Sequence, residues 1–263
     1  MIVDGNKIAE KIYAGLRTEI RYLRSQGVAP TLAVVLIGED KYSRIYVRNK
    51  QIQAKKLGVR FILKKFSSKA VEEKILDCLC ALSQDFKING IIIQLPLPDK
   101  FNTDKILNAL DLQKDIDNLT GNSRFLPPTP MAILKILEEY KISFHNKKIL
   151  LIGRGKLVGR PLANILSSKG IEYEMIGRDT VDLKEKTLNA DIIISSTGQD
   201  NLLTADMIKS QSVVIDAAND IQFAEVSQKA ILVTPPKGGI GPLTIAYLLK
   251  NTVQAAQIQS NSI

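Results

Sequence analysis

Short apolar runs alternate with amphipathic stretches along almost the whole chain. TLAVVLIG (31–38), VRFILKKF (59–66) and GIIIQLPLP (90–98) come first. KKILLIG, IEYEMIG, DIIISSTG, SVVIDAA and AILVTPP follow in the second half. The runs are brief and rich in β-branched residues, and several stop at Gly or Pro. The segments between them carry helical spacing. That order predicts βαβ units, a mostly parallel sheet and an α/β fold. No repeat of solenoid length is present.

Pro127, Pro128 and Pro130 in SRFLPPTPMAILKILEEY mark a domain boundary. Pro130 is suited to open a helix over 131–140, because an amide at the first helical position has no acceptor to lose. One α/β domain is expected over residues 1–130 and a second over 131–242. The final amphipathic pattern, 243–263, predicts a helix packing back on the first domain. The second domain begins with LLIGRGKLVGRP (150–161), a strand-turn-helix pattern. Its Gly153, Gly155 and Gly159 are spaced G-x-G-x-x-x-G, one residue longer than the dinucleotide fingerprint, with Arg154 inside the turn.

KYSRIYVRNKQIQAKKLGV follows the first strand, with Ser43 the expected N-cap. At 100° per residue, Ser43, Tyr46, Val47, Ala54 and Leu57 fall within about 60° of Lys50. Arg44, Arg48 and Lys55 fall opposite. Lys50 is therefore the one charged residue on the apolar face. It is either a snorkelling lysine at the edge of that face or a partly desolvated one with a lowered pKa, able to act as a base. Tyr46, one turn earlier, either packs in the core with a wet hydroxyl or lies beside Lys50 in a site. Ile52 stands on the polar face without explanation. Gln94 ends a buried strand, where open α/β sheets bind ligands; the alternative is a strand-end amide bonded to a loop. Asp115 and Asp117 in QKDIDNLTG are turn formers or site acids.

Composition narrows the chemistry. No run of about 18 apolar residues is present, so no membrane span is expected. The start of the chain lacks a signal-peptide core, and a cytoplasmic protein is expected. His145 is the single histidine, which argues against Ser-His-Asp, Cys-His and multi-histidine metal chemistry. Cys78 and Cys80 are poorly placed for a disulfide, complete no metal site, and are expected to pack. An enzyme of this composition works through Lys, Asp, Tyr or an organic cofactor. The net charge of +9 suits a polyanionic small molecule. Nucleic acid is not the expected partner, since zinc fingers, basic–aromatic interleaving and a basic tail are absent.

Seven segments occur in an order that resembles, end to end, the bifunctional methylenetetrahydrofolate dehydrogenase/methenyltetrahydrofolate cyclohydrolase family. They are IVDGNKIAEKI, SRIYVRNK, IIIQLPLP, KDIDN, PPTP, GRGKLVGRPLA and TPPKGGIGPLTIA. The resemblance implies an N-terminal α/β folate-binding catalytic domain, a Rossmann-like doubly wound cofactor domain, and a deep cleft between them. It implies oxidation of 5,10-methylenetetrahydrofolate with NADP, then hydrolysis of the methenyl product to 10-formyltetrahydrofolate. Lys50, Tyr46, Gln94 and Asp117 take the catalytic roles: Lys50 the lysine of the hydrolytic step, Tyr46 lining the folate pocket, Gln94 bonding and tuning Lys50, and Asp117 holding the pterin. Leu95, Pro96, Gly238, Gly239 and Pro242 join them around the substrate. Gly153, Arg154, Gly155, Val158, Gly159, Arg178, Thr197, Gly198 and Ile240 are implied for NADP. Arg154 offers a fork for its 2′-phosphate, and Arg178 stands where NAD binders tend to carry an acid, although Asp179 is adjacent. A homodimer with tetrahydrofolate derivatives as partners and no metal is also implied. Seven basic and no acidic residues between Lys41 and Arg60 suit the anionic folate tail.

The sequence departs from the family pattern in several places. Gly155 replaces a Ser, Asn118 the Gly after the second Asp, Pro128 a Cys, and Lys237 the second Pro of T-P-V-P. Met131-Ala132 stand where a Gly is common. The loop from Asp117 to Pro127 is short, and the family's G-D-V segment finds no match after VVIDAAND. These losses make a chain retaining only one of the two activities the alternative reading.

Overall fold

The computed structural model describes residues 1–260. In chain order the elements are α1 (Gly5–Ser25), β1 (Thr31–Ile37), α2 (Lys41–Leu57), β2 (Arg60–Phe66), α3 (Glu72–Gln84), β3 (Gly90–Gln94) and α4 (Thr103–Asn108). There follow α5 (Pro128–Glu139), β4 (Ile149–Ile152), α6 (Gly159–Ser168), β5 (Glu174–Ile176), α7 (Leu183–Asn189), β6 (Ile192–Ser195), β7 (Val213–Asp216), α8 (Phe223–Lys229), β8 (Leu232–Val233) and α9 (Ile240–Ser260). The chain forms two compact units. One holds residues 11–126 and the chain from 245 on, and the other holds residues 1–10 and 127–244. The first ten residues thus join the second unit rather than a 1–130 domain. Val3 N–H donates to Val233 O, and Val233 N–H donates to Met1 O. The N-terminal residues cover the edge of β8, whose backbone groups need partners.

The unit built around residues 11–126 carries a parallel sheet ordered β2-β1-β3. All seven residues of β1 are buried, as a continuous apolar strand covered on both faces requires. Val35 and Ile37 pack with Ile75, Leu79, Ile93 and Ile106. From β1 the chain steps to β2 on one side, then crosses to β3 on the other. The strand order reverses between β1 and β3, which makes the carboxyl ends of that pair the place for a ligand crevice. Helix α9 is tied to this unit by Asn251, whose Nδ2 donates to Ile116 O (2.8 Å) and Leu126 O (2.9 Å). The helix begins at Ile240, three residues before the expected start, because Pro242 falls in its first turn, where no amide is missed. Residues 261–263 of the expected helix lie outside the described residues.

The other unit carries a parallel sheet ordered β5-β4-β6-β7-β8. Its strand order reverses between β4 and β6. Ile152, Ile193, Leu203, Val214 and Val226 form the centre of its core.

Two further helix starts differ from the sequence expectation. Asp40, not Ser43, caps α2: its Oδ1 accepts from Ser43 N–H at 2.7 Å. The capping acid stands before the first helical residue, where its oxygen reaches the third amide, and Ser43 turns inward. Helix α5 opens at Pro128, so two prolines occupy the first turn. Cys78 is half-buried, but Cys80 is exposed, so only the former packs. Among the described residues, no helix is long and apolar enough to cross a membrane.

Candidate active site

Lys50 lies on the inward face of α2, only 7% exposed, with Ser43, Val47, Ala54 and Leu57. A snorkelling lysine would hold its ammonium in water; this one does not. Its Nζ donates to Gln94 Oε1 at 2.9 Å. Gln94 Nε2 in turn donates to Leu95 O at 2.7 Å, which fixes the amide so that its oxygen faces the lysine. Burial lowers the Lys50 pKa, and the nearby Asp117 carboxylate only partly offsets this. Burial also raises the Asp117 pKa against the pull of Lys50, with Asp115 adding to the rise. For both groups desolvation outweighs the attraction, so each is shifted toward its neutral form.

Asp117 is presented by a tightly held loop. Lys114, 7% exposed, donates from Nζ to Leu82 O (3.2 Å), Ser83 O (2.6 Å) and Asp85 O (2.8 Å). It thereby neutralises the carbonyl end of α3. Asp115 is fully buried and accepts from Leu119 N, Thr120 N and Thr120 Oγ1. Ile91 N–H donates to Lys114 O, which seats the loop along β3. These two residues were not foreseen as anchors; the alternation of charged and apolar residues in KDIDN was the available signal. Tyr46 is 50% exposed, so core packing does not describe it. Leu95 is half-buried and Pro96 exposed. Gly38, just past β1, leaves only 3.0 Å between an added Cβ and Pro98 Cγ, so the loops after β1 and β3 touch at the strand-order reversal.

The second unit has its own site geometry at β4 and β6. Gly153 ends β4 with φ +110°, a conformation that favours glycine. A Cβ on Gly159 would lie 1.9 Å from Gly153 O, so the first turn of α6 is pressed against the glycine turn. Val158 caps α6 without a side-chain bond. Arg160 N–H is spent on Gly155 O and Pro161 has no amide, while Gly159 itself is buried at the start of α6. Arg154 is exposed and donates to Met175 O at 3.4 Å, which places it at the end of β5, near exposed Arg178. Asp179 folds back: its Oδ1 lies 2.6 Å from where a Gly177 Cβ would stand. Thr197 and Gly198 lie just past β6. Gly238 and Gly239 precede α9, whose first turn holds Ile240 and Pro242; Gly238 has φ +79°. A Cβ on Gly5 would meet Gly239 O at 1.7 Å, so the glycine loop is packed on the start of α1. Gly238, Gly239 and Pro242 belong to this second unit, whereas Lys50, Gln94 and Asp117 belong to the first.

The fold and these two sites define a two-unit α/β enzyme with a buried lysine in one unit and a dinucleotide-type glycine turn in the other. Comparison with known proteins places it further. Residues 3–117 match the catalytic domain of tetrahydrofolate dehydrogenase/cyclohydrolase, and residues 127–260 match its NAD(P)-binding domain. The chain belongs to this family. It is 37% identical over 275 aligned residues to the bifunctional protein FolD of Nautilia profundicola, covering 97% of each chain. That alignment is longer than the chain itself, in keeping with shortened loops. Among solved structures, it matches the bifunctional FolD dehydrogenase/cyclohydrolase of Campylobacter jejuni with a TM-score of 0.90 and 33% identity, covering 100% of this chain and 99% of that one. It matches the Trypanosoma brucei FolD, complexed with NADP cofactor and inhibitor, with a TM-score of 0.94 and 26% identity, covering 99% and 98%.

Proposed function

We propose that the chain oxidises 5,10-methylenetetrahydrofolate to the 5,10-methenyl form with NADP and hydrolyses that product to 10-formyltetrahydrofolate. The observation that carries this reading is the buried Lys50, bonded to an oriented Gln94 and facing Asp117 at a strand-order reversal. A cationic methenyl carbon forms during the reaction, and a charged lysine beside it would oppose that charge. Desolvation favours the neutral amine, which removes the repulsion and leaves a lone pair to accept a proton. In the hydrolytic step water adds to the methenyl carbon and gives its proton to Lys50. Lys50 returns that proton to N5 as the bond from the carbon to N5 breaks, and the hydroxyl left on the carbon becomes the formyl C=O by releasing its remaining proton to solvent. Gln94 holds the amine in place. Asp117 accepts from the N–H groups of the pterin, and Tyr46, half-exposed, offers its ring to the substrate along with Leu95, Pro96, Gly238, Gly239 and Pro242.

The second unit fits an NADP-type dinucleotide. Gly153 and Gly159 leave no room for a side chain, the start of α6 beside them is the positive end of a helix, and Arg154 and Arg178 are exposed, with no ion pair among the described residues. Gly155, Val158, Thr197, Gly198 and Ile240 complete the residues proposed around it. When bound, the nicotinamide supplies the hydride acceptor. The two exposed arginines are assigned the 2′-phosphate and the preference for NADP over NAD. The same reading has the chain acting as a homodimer in the cytoplasm, with no role for nucleic acid.

Purified protein is expected to convert methylenetetrahydrofolate to the methenyl form with NADP reduction, and to hydrolyse added methenyltetrahydrofolate. Absence of both activities sinks the proposal. Loss of oxidation alone establishes the single-activity alternative that the shortened loops suggest. Lys50→Ala is expected to abolish hydrolysis with the fold intact by circular dichroism, and an unchanged hydrolysis rate removes Lys50 from its role.

A further inference from the structure

Asp220 is fully buried and lies in the connection between β7 and α8, where the sequence departs from its family. Its two carboxylate oxygens are occupied from one side. Oδ2 accepts from Ser195 Oγ, and from Thr197 N–H at 2.7 Å. Oδ1 accepts from Gly198 N–H at 2.7 Å and Gln199 N–H at 3.1 Å. Three consecutive backbone amides after β6 therefore converge on one internal anion. Such an arrangement is a nest of the kind that binds phosphate, and here it is already filled by the protein itself.

The held loop is one wall of the β4–β6 reversal. Its neighbour Ser196 touches the glycine turn: a Cβ on Gly153 would stand 2.8 Å from Ser196 O and 2.9 Å from Ser196 Oγ. A shift of residues 196–199 is transmitted to the turn at Gly153. Asp220 is itself held in place, since its N–H donates to Asp216 Oδ1 at 3.0 Å.

We propose that Asp220 is a positioning residue for the dehydrogenase step, an internal counter-ion that occupies the 197–199 amide nest and fixes the wall of the cofactor crevice. It makes no contact with cofactor or substrate in this role. Two consequences follow. The loop after β6 offers the cofactor side chains and carbonyls rather than amides, and anionic groups of the cofactor are left to α6 and the arginines. The unmatched connection after β7 is thus a shortened segment that keeps one structural duty.

The inference rests on the dehydrogenase reading, and the test separates the two. In Asp220→Asn the new Nδ2 must face donors on one side. Ser195 can rotate to accept from it, but Thr197 N–H then meets another N–H, so at least that bond is lost. The KM for NADP is expected to rise about tenfold or more, with hydrolysis of methenyltetrahydrofolate, which needs no cofactor, within about twofold of wild type. Ser195→Ala keeps the carboxylate and all three amide bonds, and is expected to raise the same KM by about two- to threefold. A cofactor KM unchanged in D220N overturns the proposal. So does a parallel fall of both activities with the KM unmoved, which would make Asp220 a folding residue only. If D220N does not fold, the S195A comparison decides on the same criterion. A wild-type protein that hydrolyses but does not oxidise refutes the dehydrogenase reading instead.

Discussion

The tightest approach in the cofactor-type turn gives a quantitative test. In Gly159→Ala the added methyl would stand 1.9 Å from Gly153 O, 2.9 Å from Gly153 C and 3.4 Å from Arg154 N. All three are backbone atoms, so no side chain can swing away. Ordinary van der Waals separation requires the turn and α6 to part by more than about an ångström. Alanine gains at most about 1 kcal/mol over glycine in a helix interior. Overpacking of this kind costs about 1–3 kcal/mol, so the clash wins. The larger effect falls on activity: a misplacement of about 1 Å at an aligned site costs about a hundredfold in rate, near 2.7 kcal/mol of barrier. NADP-dependent oxidation is expected to fall by about that factor in kcat/KM, while hydrolysis in the same preparation stays within about twofold. Gly15→Ala, in α1 and outside both sites, is the control, since its Cβ meets nothing within 4 Å and should leave both steps near wild type. A Gly159→Ala enzyme that oxidises normally, or a Gly15→Ala enzyme equally damaged, would overturn this account of the turn.

Three further outcomes are expected. Asp117 holds the Lys50 pKa up from the value burial alone would give, so Asp117→Asn should lower it further and move the rising limb of the hydrolysis pH profile to lower pH; a limb that stays put or moves up contradicts the coupling. Lys114→Met strips three carbonyl acceptors of their donor and should reduce unfolding free energy in urea by about 2–4 kcal/mol, whereas a change under about 0.5 kcal/mol would mean the anchor is dispensable. Arg178→Ala should raise the KM for NADP about tenfold and leave that for NAD nearly unchanged, by loss of one charge-assisted phosphate contact; equal effects on both cofactors would remove Arg178 from phosphate recognition.

Periodicity made Lys50 legible, since helical phase put it among residues that are in fact buried, Ser43, Val47, Ala54 and Leu57. The same phase argument was too generous to Tyr46, which lies at the margin of the apolar stripe and is half-exposed. It left Ile52 on the polar face, where the structure also has it, 40% exposed. The strands were legible because parallel strands buried on both faces read as unbroken apolar runs. What escaped were interactions between distant segments. Asp220 reads in sequence as one more loop acid, because its partners lie more than twenty positions earlier in the chain. Lys114 reads as a surface charge until the end of α3 arrives beside it. The caps shifted by a few residues for a local reason, since Asp40 and Ser43 are both competent caps and only geometry chooses between them.

The pairing of residues 1–3 with β8 has a consequence for how the protein is made. Val3 and Val233 are bonded although 230 positions apart in the chain, so the earlier segment waits for the later one before it finds its place. At about 5–20 residues per second the wait on the ribosome is roughly 10–50 s. The β2-β1-β3 sheet is complete in sequence by residue 94, but Asn251, which satisfies the carbonyls of Ile116 and Leu126, arrives after translation of the whole second unit. Each unit therefore closes on a residue made late relative to its partners, Val233 in one and Asn251 in the other, and neither reaches its native set of bonds before that residue is made. Chains stalled before residue 230 should expose the bare edge at β7 to any strand that can pair with it, which makes early termination more damaging here than the loss of one helix would suggest.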